Sequence, residues 1–312
     1  MRAAVLRELG SPPGLDDFDE PSAEAGQAVV EVAAAGINPV DLAIASGKFY
    51  GGSPAVPSIV GREGIAALPD GGLAYFDGPV PPYGSMAERT VVADESVIPL
   101  PEGLDPALAV CFGIAGLAAW LALDWRAELE PGETVLVLGA SGPVGQIAVQ
   151  AARLLGAGRV VAAARSADGL ARAQELGADA TVRLGEDDDL VEAFRSATDG
   201  GPDVVVDPLW GKPALAAIQA ASMRARLVQI GQSAGAEATI PSAAVRGKLL
   251  AILGHTNFAA PPEVKRAAFT RMSEHAAVGE LTADFERVPL AEVTAAWERQ
   301  ASMPHRKLVL IP

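Results

Sequence analysis

Two apolar patterns alternate through the middle of the chain. Runs at 135–138, 159–164, 180–183, 203–207 and 226–231 are short, rich in Val, Leu and Ala, and carry charge only at their ends. Runs of that kind are buried on both faces, so they read as strands of a covered parallel sheet. Between them, stretches at 147–155, 168–176, 190–197 and 213–222 space their apolar residues at helical intervals. The strand–helix rhythm predicts an α/β unit with helices on both faces of the sheet. The amino-terminal third has another texture. Its strand-like runs at 28–33, 89–92 and 96–100 are interrupted by Pro79, Pro81, Pro82, Gly84 and other turn residues, which predicts a β-rich domain with long loops. From about residue 253 the pattern gives a helix at 261–278, a shorter one at 290–300 and a final strand at 307–311.

Composition narrows this picture. The chain has 312 residues, half of them hydrophobic, enough for two domains with substantial cores. A net charge of −15 opposes nucleic acid and anionic membrane surfaces as partners. The uncharged run 107–123 approaches the length of a membrane span. Ala and Gly dominate it, Asp105 and Asp124 bound it, and no basic flank follows, so a buried helix between domains is the expectation. The charged start, Met1-Arg-Ala-Ala-Val-Leu-Arg-Glu8, lacks the apolar core of a signal peptide, and a cytoplasmic protein is expected. Cys111 is the single cysteine, which rules out a disulfide within the chain and any cysteine-based metal cluster. It reads as a small buried core residue.

One segment carries chemistry. In Thr134-Val-Leu-Val-Leu-Gly-Ala-Ser-Gly-Pro-Val-Gly145 an apolar strand enters a glycine turn and a helix follows. Ala140, Gly142 and Gly145 give an A-x-G-x-x-G dinucleotide fingerprint, with 159–164 closing the βαβ unit. Small residues let the backbone approach a pyrophosphate, and the helix start offers unpaired N–H groups to it. Ser141, Pro143 and Val144 are the expected pyrophosphate contacts, through backbone N–H groups. A dinucleotide site specific for NAD carries an acid at the end of the second strand. Here Ala164-Arg165-Ser166 stands there. A guanidinium grips a ribose phosphate with paired bonds, which favours NADPH over NADH.

A family resemblance spans nearly the whole chain. Ala35-Gly-Ile-Asn-Pro-Val-Asp41, Gly61-Arg-Glu-Gly64, Tyr83-Gly-Ser-Met-Ala-Glu88, the fingerprint, Leu176-Gly-Ala-Asp179 and Lys307-Leu-Val-Leu-Ile-Pro312 resemble the zinc-less quinone oxidoreductase and enoyl reductase branch of the medium-chain dehydrogenase/reductases. The resemblance implies a Rossmann doubly wound parallel sheet (113–252) inserted into a GroES-like β-rich catalytic domain (1–112 and 253–312), with the active cleft between them. In zinc-dependent members a cysteine and a G-H-E histidine bind metal; Asn38 and Arg62 occupy those positions here. His255, His275 and His305 show no ligand spacing, and no metal is expected. Without a Lewis acid, conjugate reduction of an enone or quinone, its charge spread over an enolate, is the activity implied.

The resemblance also nominates residues. Asn38 matches the asparagine facing the nicotinamide end of the cleft and is a candidate donor, although a turn role before Pro39 fits its context too. Asp41 is open to an active-site hydrogen bond or to helix capping. Phe49 stands where related enoyl reductases carry a proton-donating tyrosine, with Tyr50 one residue later, and Ala43 replaces a tyrosine of bacterial quinone reductases. Tyr50 is the candidate donor, Tyr83 a weaker one, and solvent the alternative. Glu63 reads as a structural buttress. Asp207, Gly231 and Gln232 sit at the carboxyl ends of sheet strands, where ligands bind; Gln232 replaces a lysine of modular polyketide enoyl reductases. A short stretch between Gly64 and Tyr83 suits a wide mouth and a bulky ring substrate. The reading is an NADPH-dependent, zinc-independent reductase of quinones or activated alkenes, with a small-molecule partner and a possible homodimer. The alternatives are an enoyl reductase tailoring an aromatic polyketide and a non-catalytic NADPH-binding structural or sensory protein.

Overall fold

The computed structural model describes residues 1–68, 71–185 and 189–312. Contacts divide the chain into Met1–Ile114 with Phe269–Pro312, and Ala115–Ala268.

The first unit begins with β1 (Arg2–Leu6), β2 (Gly14–Asp17), β3 (Gln27–Gly36), helix α1 (Pro39–Ala45), β4 (Ser58–Ile59), β5 (Glu63–Ala67), β6 (Leu73–Asp77), β7 (Arg89–Ala93), β8 (Val97–Pro99) and α2 (Pro106–Ala109). Helix α3 (Ile114–Leu121) leads out of it and ends in a π-helical turn, Ala122–Arg126. The run 107–123 is therefore broken, with a 42° bend at Gly113 between Pro106–Phe112 and Ile114–Arg126. Most of it is buried, including Leu117, Trp120 and Leu121. Among the described residues no single helix is long and apolar enough to cross a membrane; the bent pair reaches that length and composition only when taken together.

The second unit alternates as its pattern predicts: β9 (Thr134–Leu138), α4 (Pro143–Leu154), β10 (Arg159–Ala164), α5 (Ala167–Glu175), β11 (Ala180–Arg183), α6 (Leu190–Ala197), β12 (Val204–Asp207), α7 (Gly211–Ala220), β13 (Arg226–Gln229), α8 (Ser242–Arg246) and β14 (Ala251–Gly254). All pairings are parallel, in the order β11-β10-β9-β12-β13-β14. The strand order reverses between β9 and β12, the switch point of a doubly wound sheet. Val135 to Leu138 and Val204 to Val206 are fully buried, as strands covered on both faces must be. Helix α4 starts earlier than its apolar periodicity suggests, because Gly142 caps it in an extended conformation and Pro143 supplies a preset φ at the first position. The unit boundary at 252 that the family resemblance implies falls within β14. That strand is apolar throughout, Ala251-Ile-Leu-Gly254, yet at the sheet edge its residues alternate between partly buried and exposed.

Helix α9 (Pro262–Ala277) returns the chain to the first unit, followed by β15 (Phe285–Pro289), α10 (Val293–Ala301) and β16 (Lys307–Ile311). The larger sheet of that unit runs β15-β16-β3-β5-β6-β8, with β7 also on β3. Strand β16 pairs antiparallel with β3, Val309 opposite Gly36 and Leu310 opposite Ala35. This register sets Lys307 beside the start of α1. A core that includes Leu6, Ile37, Phe76, Met86, Leu308 and Leu310 lies on this sheet.

Candidate functional site

The fingerprint turn is packed as tightly as its glycines suggest. A Cβ at Gly145 would lie 2.4 Å from the Gly139 carbonyl oxygen and 2.5 Å from Ala140 Cα, both backbone atoms, so helix and strand touch there. At Gly142 a Cβ would meet nothing nearer than the Gly139 oxygen at 3.6 Å. Close packing at one glycine and open space at the other is the cradle a pyrophosphate needs, and the residues present fit a dinucleotide. One expectation requires correction: Pro143, at the first helical position, has no N–H to offer. The Ala140 N–H donates to Ala163 O and that of Gly142 to Gly139 O. The donors that remain are those of Ser141 in the glycine turn and of Val144 and Gly145 in the first helical turn.

At the end of β10, Ala164 is buried and Arg165 is exposed. Among the described residues no hydrogen bond or ion pair holds the Arg165 guanidinium. Ser166 Oγ accepts the Gly169 N–H at 3.2 Å and caps α5, leaving its hydroxyl hydrogen to donate. Across the switch point Asp207 is fully buried. Its Oδ1 accepts the N–H groups of Leu209 (2.9 Å) and Trp210 (2.8 Å), so its carboxylate clamps its own loop. Burial pushes that carboxyl up to about 6. Gly231 is pressed against the same loop, since a Cβ there would lie 2.7 Å from Pro208 O, and Gln232 is exposed.

The first unit holds a buried polar cluster. Asn38 caps α1 in an extended conformation, with Pro39 next to it. Its backbone N–H donates to Asp41 Oδ2 at 2.8 Å, and its amide nitrogen donates to Glu63 Oε1 at 2.8 Å. Lys307 Nζ donates to Asn38 Oδ1 and, at 2.7 Å, to Glu63 Oε1. Glu63 Oε2 accepts the Ile114 N–H and the Tyr75 hydroxyl, the latter at 3.5 Å. All of these side chains except that of Ile114 are at most 3% exposed. Gly113 walls the cluster, because a Cβ there would fall 2.1 Å from Glu63 Oε2 and 2.4 Å from the Tyr75 ring. Among the described residues Asp41 Oδ1 has no hydrogen-bond partner. Burial, with the Glu63 charge adding to it against the Asn38 N–H, pushes the Asp41 carboxyl up to about 7. Burial likewise raises the Tyr75 phenol well above its ordinary range.

Sequence reasoning places Asn38, Asp41 and Glu63 near one another but misses Lys307 and Tyr75. Both sides of the Asn38 amide are held by protein groups in this structure. Tyr50 lies elsewhere in character, 80% exposed in the turn after α1 with its ring 4.3 Å from that of Phe49. Tyr83 donates to Glu20 O at 3.3 Å and meets Phe18 edge-on, a packing role. Cys111 is buried, its thiol donates to Ala107 O at 3.2 Å, and burial pushes it up to about 12.

Residues 143–274 match the family model described as zinc-binding dehydrogenase. The quinone oxidoreductase of Rattus norvegicus is 32% identical over 244 residues, covering 74% of this chain and 73% of that one. The chain belongs to the quinone oxidoreductase branch of the medium-chain dehydrogenase/reductases. A quinone oxidoreductase from Thermus thermophilus, solved alone and with NADPH, superposes over the full length of both chains with a TM-score of 0.83 and 32% identity. A phenolphthiocerol/phthiocerol polyketide synthase subunit of Mycobacterium tuberculosis is 30% identical over 246 residues, which is 74% of this chain and 11% of that protein. As a family member the chain is an oxidoreductase, with a Rossmann sheet in its second unit and a GroES-like first unit. The zinc in the family description does not fit the residues here. Among the described residues no three His, Cys, Asp or Glu side chains are grouped to hold a metal ion.

Proposed function

We propose that this protein reduces quinones or activated alkenes with NADPH and without zinc. The observation that carries the reading is the open fingerprint turn with Arg165, and no acid, exposed at the end of β10. Ser141, Val144 and Gly145 would bind the pyrophosphate, and Arg165 with Ser166 the 2′-phosphate. The bound dinucleotide would supply hydride to the β-carbon of the substrate. The Glu63–Lys307 pair acts as a frame: it fixes Asn38 at the start of α1 and keeps water from that end of the sheet. With Tyr50 so exposed, the enolate takes its proton from solvent in this reading. The likeness to the Thermus enzyme, solved with NADPH, supports the choice of cofactor.

A second reading is an enoyl reductase that tailors a polyketide. The likeness to part of a polyketide synthase favours it, while Gln232 leaves that position without a proton-donating lysine. The experiment is NADPH oxidation by purified protein over a panel of quinones, cyclic enones and acyclic enoyl thioesters, with NADH alongside. Turnover of quinones or enones with NADPH preferred supports the first reading, and turnover confined to the thioesters supports the second. Preference for NADH would remove the role given to Arg165. In the same assay Arg165→Ala is expected to raise the dissociation constant for NADPH roughly tenfold while leaving that for NADH unchanged.

A further inference from the structure

The family description names a zinc ion that the residues here do not fit, yet a cation stands where that metal would be sought. By the resemblance above, Asn38 and Arg62 replace a cysteine and a histidine ligand. Against Asn38 Oδ1 lies the Lys307 ammonium, which also donates to Glu63 Oε1 at 2.7 Å. An ammonium can only donate and a carboxylate can only accept. With Lys307 on its oxygen and Glu63 taking its nitrogen at 2.8 Å, the Asn38 amide has a single allowed orientation, its carbonyl toward the cation.

The chain leaves room for this cation. Gly36 on β3 lies opposite Val309, and a Cβ there would fall 2.5 Å from Glu63 Oε1, 2.8 Å from Lys307 Cε and 3.0 Å from its Nζ. Lys307 is 2% exposed, a burial that lysine almost never accepts without partners. Its two acceptors use two of the three ammonium hydrogens, and among the described residues no protein atom takes the third. Asp41 is 3% exposed, its Oδ1 has no partner among the described residues, and its carboxyl lies near enough to feel the charges of both Glu63 and Lys307. An amide oxygen and two carboxyl groups about one positive charge make the all-oxygen donor set of a hard cation, not the nitrogen and sulfur set of zinc.

We infer that Asn38, Asp41 and Glu63 form a cation site that this chain occupies with its own Lys307 ammonium in place of a metal ion. Cutting that side chain back would leave a latent site for an alkylammonium or a hard divalent cation. The mismatch with the family's zinc then has a cause: the positive charge beside Asn38 is built into the chain, and no metal has to be acquired.

The test removes the ammonium from the full-length chain and offers substitutes. Lys307→Ala is expected to melt below the unaltered protein. Propylammonium, which carries the atoms removed, is expected to raise the melting temperature of the variant by about 2–4 °C more than it raises that of the unaltered protein. Propanol, of the same length without the charge, is expected to give no such rise. Calorimetric titration of Lys307→Ala with Mn²⁺ is expected to show one site with a dissociation constant on the order of 0.1–1 mM, absent from the unaltered protein and weakened about tenfold when Asp41→Asn is added. A rise as large with propanol makes Lys307 a packing residue and overturns the assignment. So does Mn²⁺ binding that is the same in both proteins, or that Asp41→Asn leaves unchanged. Should Lys307→Ala fail to fold, refolding from urea decides: recovery in propylammonium but not in propanol supports the site, and equal recovery or none overturns it. A stoichiometric Mn²⁺ or Zn²⁺ ion that stabilises the unaltered protein overturns it in every case.

Discussion

Asp41 shows how a single side chain can carry a pH dependence. Its carboxyl is buried beside Glu63 and held up near 7, against 3.8 when exposed. Between those values the folded chain binds a proton that the unfolded chain has released, so stability falls as pH rises from about 4 to about 7. Asp41→Asn keeps the shape and removes the titration. Its stability relative to the parent is expected to grow across that window by on the order of 2 kcal/mol, read from urea melts at about pH 4.5 and 7.5. A gap that stays constant with pH would show that Asp41 is not the titrating group. Lys307 is the complementary case. Replacing it with Met leaves Glu63 buried without its cation, which is expected to cost about 3–5 kcal/mol in the same melts. The double variant Lys307→Met with Glu63→Gln is expected to recover part of that loss, since the unpaired charge goes with it. Little of this cluster could be read from the sequence. All four residues stand in recognisable motifs, but nothing in Lys307-Leu-Val-Leu-Ile-Pro312 tells that its lysine lies against Asn38 and Glu63, far along the chain.

Among the elements, the strands of the covered parallel sheet were the legible ones. The strands β9 to β13 are apolar over most of their lengths because helices cover both faces, and a continuous run needs no knowledge of pairing to be seen. Strands β4, β5 and β6 lie among Pro, Gly and Ala residues whose pairing is set by partners distant in sequence, and the pattern alone did not reveal them. Edge strand β14 is apolar throughout, but it is four residues long and continues the apolar pair Leu249-Leu250, so its run alone does not mark a strand. The start of α4 was hidden by Gly142 and Pro143, residues that disfavour a helix interior yet suit its first turn. That junction allows a sharp test. Gly145→Ala would press a methyl group onto the backbone of Gly139 and Ala140, which cannot yield without moving β9 or α4. A loss of about 1–3 kcal/mol in thermal melts is expected, together with weaker binding of 2′,5′-ADP by calorimetry. Normal stability and normal binding would mean that the close approach is not maintained in solution.

For the molecule as a whole, the parallel-sheet unit is continuous in sequence, whereas the first unit is assembled from two segments far apart in the chain. Strand β16 is the join, seated between β15 and β3 and carrying Lys307 into the buried cluster. Removing residues 307–312 should lower the melting temperature by about 10 °C or more, from lost sheet pairing and an unpaired Glu63 together. A truncated protein that melts like the parent would show the join to be dispensable.

The place of that strand also dictates a timetable during synthesis. A chain growing from its amino end makes β3, α1 and β5 early, yet their sheet lacks a central strand and their buried carboxylate lacks its cation until β16 has been made. The Rossmann unit needs nothing from that late segment and has all its strands well before it appears. On the ribosome the second unit is therefore able to fold first, while the earlier-made segment waits with apolar sheet faces uncovered. That interval, rather than the finished protein, is when this chain is most open to chaperones and to aggregation.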